Sequence, residues 1–134
     1  MIAQATQSWE YVRMRFFFRV ARKFAHAFRG LGLAFSTDNS FKFHFIFSII
    51  AVALGLWLNP DLTGWALITI AIGLVIVAEL FNTAIEYLVR MFTTEYHELA
   101  GKLLDISAGA VLFASIIALA IAAFVYVPLM AGRH

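Results

Sequence analysis

Glu79, Asn82, Glu86 and Arg90 stand at i, i+3, i+7 and i+11. At about 100° per residue they fall on one narrow face of a helix. The residues around them are mostly Leu, Val, Ile, Phe and Ala. Two carboxylates, an amide and a guanidinium are thus set into a stretch apolar enough to cross a membrane. Ionisable groups there are costly and mark a functional site by default. Carboxylates beside an amide suit Mg²⁺, which takes oxygen ligands, few of them carboxylates, and leaves room for substrate phosphates. A carboxylate held among apolar neighbours can act as a general base. Asp38, before the first apolar run, and Asp105, at the start of the last, are expected near the same membrane interface. Metal, base and lipid access together point to phosphoryl transfer to a lipid hydroxyl.

Simpler roles fit the same residues. Glu79 and Asn82 can hold neighbouring helices together. Glu86 and Arg90 can form an i, i+4 ion pair. Asp105 can favour a helix N-terminus through the dipole. His97 reads as a surface-loop histidine, His26 and His44 as interfacial ones.

Composition says which elements hold this face. The chain has 134 residues, 63% apolar and 13% charged, with a mean hydropathy of +0.87. Soluble domains average about 45–50% apolar and about 25% charged. So short a soluble chain could not bury this much apolar surface, whereas a small multi-span membrane protein can. There is no cysteine and the four histidines are scattered, which argues against thiolate and zinc sites. Neither a Walker A sequence nor a kinase glycine-rich loop occurs, so the soluble ATP-binding folds are excluded. The basic residues alternate with greasy ones, which argues against nucleic acid. The N-terminus lacks a compact apolar run with a small-residue cleavage site, and no removable signal peptide is expected.

The expected fold is an all-α membrane protein, one domain over residues 1–134, with three transmembrane helices and an N-terminal amphipathic surface helix. Residues 7–35 form that surface helix. Arg15, Arg19, Arg22, Lys23 and Arg29 line one side, and Trp9, Phe16, Phe17, Val20, Phe24, Phe28 and Leu31 the other. Such a helix suits the membrane surface, its arginines facing lipid phosphates. Ser36 to Ser40 is a polar break with several potential N-caps. Spans are predicted over 41–58, 65–92 and 103–130, joined by a tight turn at Asn59–Gly64 and a polar segment over 93–102. The small residues Ser107, Ala108, Gly109, Ala110 and Ala114 allow close helix approach. Trp57, Trp65 and Tyr126 are expected in interfacial belts. Seven of the ten Lys and Arg lie before residue 43, and the 59–64 turn has none. The positive-inside rule therefore puts the N-terminus and the 93–102 segment on the cytoplasmic side of the membrane. Three spans with a single polar face offer no continuous pathway for a channel or transporter.

ELFNTAIE, TEYHELAGKLLD and SAGAVL, in that order and spacing, resemble the prokaryotic diacylglycerol kinase family, which includes undecaprenol kinases. Upstream, AFRGLGLAF followed by DNSFKFH resembles the family segment that usually reads F-x-x-E-x-x-F-R. The similarity extends over about residues 19–125. It implies ATP- and Mg²⁺-dependent phosphorylation of diacylglycerol or undecaprenol by a homotrimer with active sites shared between subunits. By that resemblance Glu79 matches the catalytic base, Asn82 the asparagine beside it and Asp105 the aspartate opening the third span. Glu86 matches a metal-binding glutamate, and Asp38 stands where a metal-binding Glu is usual. Arg19, His26, Tyr96 and His97 match nucleotide-side positions, with Glu86 and Arg90 beside them. There are departures. Arg90 stands where Asp is usual, Leu104 where Lys is usual, and Lys42 where Arg is usual. Lysine binds ATP phosphates and leucine does not. The alternative is therefore a catalytically weakened member serving as a structural subunit or binding a membrane-protein partner.

Overall fold

A computed structural model describes residues 2–92 and 97–132. They form four helices and no strand: α1 (Ile2–Thr37), α2 (Asn39–Leu58), α3 (Leu62–Phe92) and α4 (Glu98–Ala131). The last three are long and apolar enough to cross a membrane, so the protein is an all-α membrane protein. Each of these three starts before its apolar run, because a polar cap, Asp38, Asp61 or His97, sets its beginning.

Two compact units make up the chain, α1 and everything from Asp38 onward. In α1 the rings of Phe16 and Phe17 meet edge to face at 6.2 Å, and Arg19 Nε donates to the Arg15 carbonyl at 3.4 Å. Phe24 and Phe28 are exposed within this unit. The Ser36 and Thr37 hydroxyls donate back to the Leu33 carbonyl at 2.9 and 2.8 Å. They are thereby occupied with their own helix, and the expected five-residue break narrows to Asp38. That residue is extended (φ −106°, ψ 117°). Its Oδ1 accepts from the Ser40 and Phe41 amides at 2.8 and 3.3 Å, the usual work of an N-cap aspartate.

In the second unit α2, α3 and α4 run up, down and up. Asn59 closes α2 in the left-handed region (φ 53°), its amide donating to the Gly55 carbonyl at 2.8 Å. After Pro60, Asp61 Oδ1 accepts from the Gly64 amide at 2.8 Å and starts α3. Gly64 has no room for a side chain: a Cβ there would stand 2.7 Å from Pro60 Cβ.

Inward residues follow 3–4 spacing on every helix. On α2 they are Phe41, His44, Ser48, Ala51, Gly55 and Leu58; on α3, Gly64, Ile68, Ala71, Val75, Glu79 and Asn82; on α4, Ser107, Val111, Ala114 and Val125. The interface between α3 and α4 is the most extensive. At the turn end, Leu58, Ile68, Val125 and Tyr126 form a closed apolar core. Two of the three aromatics expected in interfacial belts pack against neighbouring helices. Tyr126 is buried, and its hydroxyl donates to the Ala51 carbonyl at 2.6 Å. Trp65 packs its ring on Gly55, where the missing side chain makes space for it. An aromatic with a polar tip can find its partner inside a bundle as well as at the headgroups. Trp57 remains exposed.

The three spans are unequal in length. At 1.5 Å per residue α2 is about 30 Å long, close to the hydrocarbon thickness, while α3 and α4 reach about 46 and about 51 Å. The longer pair tilts or projects, and the surplus lies toward the Asp38 end, where the polar residues are.

Candidate active site

The end of the bundle opposite the turn gathers the start of α2, the second half of α3 and the first turns of α4. Glu79 lies at its centre. It is 1% exposed and is the largest fully buried side chain among the described residues. Its Oε1 has no hydrogen-bond partner there, and its Oε2 is 4.0 Å from His44 Nε2 on α2. Asp38 and Glu86 are the carboxylates whose fields reach it. Burying a carboxylate oxygen without a donor is costly, so this atom is either a tolerated liability or a reserved acceptor.

One turn on, the Thr83 hydroxyl is 2.6 Å from Asp38 Oδ2 and 3.0 Å from the Glu79 carbonyl. Asp38 therefore has two tasks: Oδ1 caps α2 and Oδ2 ties that cap to α3. Asn82 works toward the other side. Its Oδ1 accepts from Ser107 Oγ on α4 at 2.7 Å, and its Nδ2 donates to Glu86 Oε1 at 3.1 Å. Glu86 Oε2 accepts from Arg90 at 2.9 Å. Both oxygens of Glu86 are thus held, one by a buried amide and one by a guanidinium that is 71% exposed.

The structure brings together Asp38, Glu79, Asn82, Glu86 and Arg90. Asp105 is not among them within one chain. It lies two residues before Ser107, about 200° around the helix, and is exposed on the far side of α4. His97 caps α4: its Nδ1 accepts from the Leu99 amide at 3.2 Å. Arg19 and His26 are exposed on α1, in the separate N-terminal unit. Tyr96 lies outside the described residues.

Three participants were missed by the sequence reading. His44, expected at the interface, is half-buried against Glu79. The signal was available, since His44 occupies the inward stripe of α2 between Phe41 and Ser48. Thr83 is one turn from Glu79 but is a routine residue in an apolar helix. Ser107 was read only as a small residue, and its hydrogen bond to Asn82 depends on how α3 and α4 meet.

A family model described as prokaryotic diacylglycerol kinase matches residues 25–126. The chain belongs to this family. It is 32% identical to the diacylglycerol kinase of Escherichia coli K12 over 102 residues, 76% of this chain and 84% of that one. It is also 32% identical to the undecaprenol kinase of Bacillus subtilis 168 over 110 residues, 82% of this chain and 89% of that one. A diacylglycerol kinase of Synechocystis is 32% identical over 106 residues, 78% of this chain and 61% of that one. The matched region of this prokaryotic diacylglycerol kinase relative includes every residue of the cluster around Glu79. Its kinase relatives carry lipid alcohols in their names, in keeping with a polar site inside a membrane bundle.

Among the described residues, no three His, Asp or Glu side chains form a metal cage. What is present is an incomplete oxygen set from Asp38 and Glu86 beside Glu79. That fits a Mg²⁺ ion carried with nucleotide phosphates and several waters, and does not fit a resident ion held by protein alone.

Proposed function

We propose that the protein transfers the γ-phosphoryl group of ATP to the hydroxyl of a membrane lipid alcohol, diacylglycerol or undecaprenol, in a Mg²⁺-dependent reaction. The observation that carries this is the buried, unpartnered Oε1 of Glu79 in a chain of lipid-kinase lineage. A carboxylate oxygen with no donor of its own is free to accept the lipid hydroxyl proton. Asn82, fixed by Ser107, orients Glu86. Asp38 and Glu86 would hold the Mg²⁺, which supplies charge neutralisation on the phosphates when bound. Arg19, His26, Tyr96 and His97 contribute on the nucleotide side. The N-terminus and the 93–102 segment face the cytoplasm, where ATP is, and α1 lies along that surface of the bacterial inner membrane. Asp105, turned away from its own chain's cluster, would serve the site of a neighbouring copy in a homotrimer with shared sites.

A second reading has a specific observation behind it: the Arg90–Glu86 pair. It places a guanidinium where a metal would bind, as in a silent site kept by a structural or partner-binding membrane subunit. The pair is no obstacle to the kinase reading. An exposed i, i+4 pair is worth about 0.3–0.5 kcal/mol. A nucleotide bound at even about 1 mM brings about 4 kcal/mol. With nucleotide bound, Arg90 would leave Glu86 for a phosphate, standing in for the lysine usual at position 104.

The test is labelled-ATP phosphorylation by purified protein with diacylglycerol, with undecaprenol and with no lipid, each with Mg²⁺ and with chelator. Label in lipid only when Mg²⁺ and one acceptor are both present is the expected result. No transfer to either lipid by an assembled sample that also binds no nucleotide sinks the kinase reading in favour of the subunit.

A further inference from the structure

A base at the bottom of a buried site has a problem after it has acted. The proton it takes must leave before the next turnover, and Glu79 is almost completely shielded. Its Oε1 meets no partner, and its other oxygen faces one side chain that can both accept and release a proton. That is His44, at 4.0 Å. The imidazole is 25% exposed against 2% for the Glu79 side chain, so it is the more accessible end of the pair. The 4.0 Å separation is within ion-pair reach but beyond a hydrogen bond, and a small rotamer change closes it. Helix register holds this arrangement. Phe41 and His44 lie on the α2 stripe that faces α3, Asp38 caps that helix, and Thr83 ties the cap to the turn following Glu79.

We propose that His44 is the proton outlet of the Glu79 site, acting through Glu79 as a positioning and relay residue. The inference rests on the lipid-kinase reading of that site. In the forward reaction the lipid hydroxyl oxygen bonds to the γ-phosphorus of a nucleoside triphosphate. The bond from that phosphorus to the bridging oxygen breaks, and the nucleoside diphosphate leaves with the electron pair. The hydroxyl proton passes to Glu79, from Glu79 to His44 Nε2, and from the imidazole to water. Before the reaction the same imidazole stands on the Oε2 side, leaving Oε1 for the acceptor.

The experiment compares wild type, His44→Gln and His44→Ala as full-length protein in lipid nanodiscs, with turnover measured against lipid and nucleotide separately. Glutamine can still donate to Glu79 but cannot carry a proton. Both variants should lose about tenfold or more in kcat, with KM for both substrates within about twofold. Free imidazole should restore part of the His44→Ala rate and leave His44→Gln unchanged. A second readout is independent of turnover: the ring nitrogen resonances of His44 in ¹⁵N-histidine-labelled protein should move on Glu79→Gln. If His44→Gln keeps the wild-type kcat, the relay is overturned even where His44→Ala is slow or fails to assemble. Ring resonances indifferent to Glu79→Gln overturn it as well. A wild type inactive on every acceptor removes the kinase reading and the relay with it, whereas an active wild type with unaffected variants removes the relay alone.

Discussion

The two ends of the α2–α4 bundle solve the same packing problem in opposite ways. At the turn end, Leu58, Ile68, Val125 and Tyr126 close a dry core, and the one polar tip, the Tyr126 hydroxyl, has its acceptor on Ala51. Glycines at 55 and 64 let ring and chain come close. At the other end the same helix stripes carry His44, Glu79, Asn82 and Ser107, joined by Asp38, Thr83 and Glu86. Hydrogen bonds satisfy most of these groups, but one carboxylate oxygen stays without a donor. One end satisfies its polar groups; the other keeps a buried carboxylate oxygen without a donor, at a cost in stability. This is the pattern expected where an active site is held by a scaffold that is not itself reactive.

The contrast can be attacked from both ends. Glu79→Gln is expected to have the largest effect, an activity loss of about 10²- to 10⁴-fold, with an unchanged or higher thermal midpoint in detergent because a buried unpaired carboxylate is removed. If that variant instead unfolds, Glu79 is structural glue and the two ends do not differ in kind. Gly64→Ala should do the reverse. The added Cβ would stand 2.7 Å from a rigid proline ring, and overpacking of this sort costs about 1–3 kcal/mol. Better helix propensity offsets at most about 1 kcal/mol of it. The midpoint should fall while turnover of the folded fraction stays at wild type. Tyr126→Phe removes a single hydrogen bond and should cost about 0.5–1.5 kcal/mol, again without touching turnover. Normal stability in Tyr126→Phe would mean the hydroxyl contributes nothing net.

The smallest stability effect belongs to the pair Arg90→Asp with Leu104→Lys, which removes an exposed ion pair worth about 0.3–0.5 kcal/mol. Its value lies in activity. Where Arg90 serves the nucleotide, the double variant should be slower than wild type in the labelled-ATP assay. A faster double variant would mean that the native pair silences the site, and that the polar end is a relic.

Much of this was legible in the residues. Polarity alone placed three spans, because 63% apolar content in so short a chain has no soluble solution. Spacing put Glu79, Asn82, Glu86 and Arg90 on one face, because a helix converts sequence separation into angle without help from its neighbours. The i, i+4 contact of Glu86 with Arg90 is local in the same sense, and it was among the simpler expectations. Cross-helix relations were not legible in this way. That Thr83 reaches Asp38, 45 residues away in the chain, depends on the register between α2 and α3. Whether Ser107 is a spacer or the donor that fixes Asn82 depends on the rotation of α4. The same rotation sends Asp105 to the far side, although it is only two residues distant. The acceptor of the Tyr126 hydroxyl, the Ala51 carbonyl on α2, was set by packing in the same way. Periodicity and composition act along one helix and set which groups a face carries. The partner each group finds is set by how the helices pack, and only that packing decided that Glu79 would be shut in beside His44 with one oxygen still unpaired.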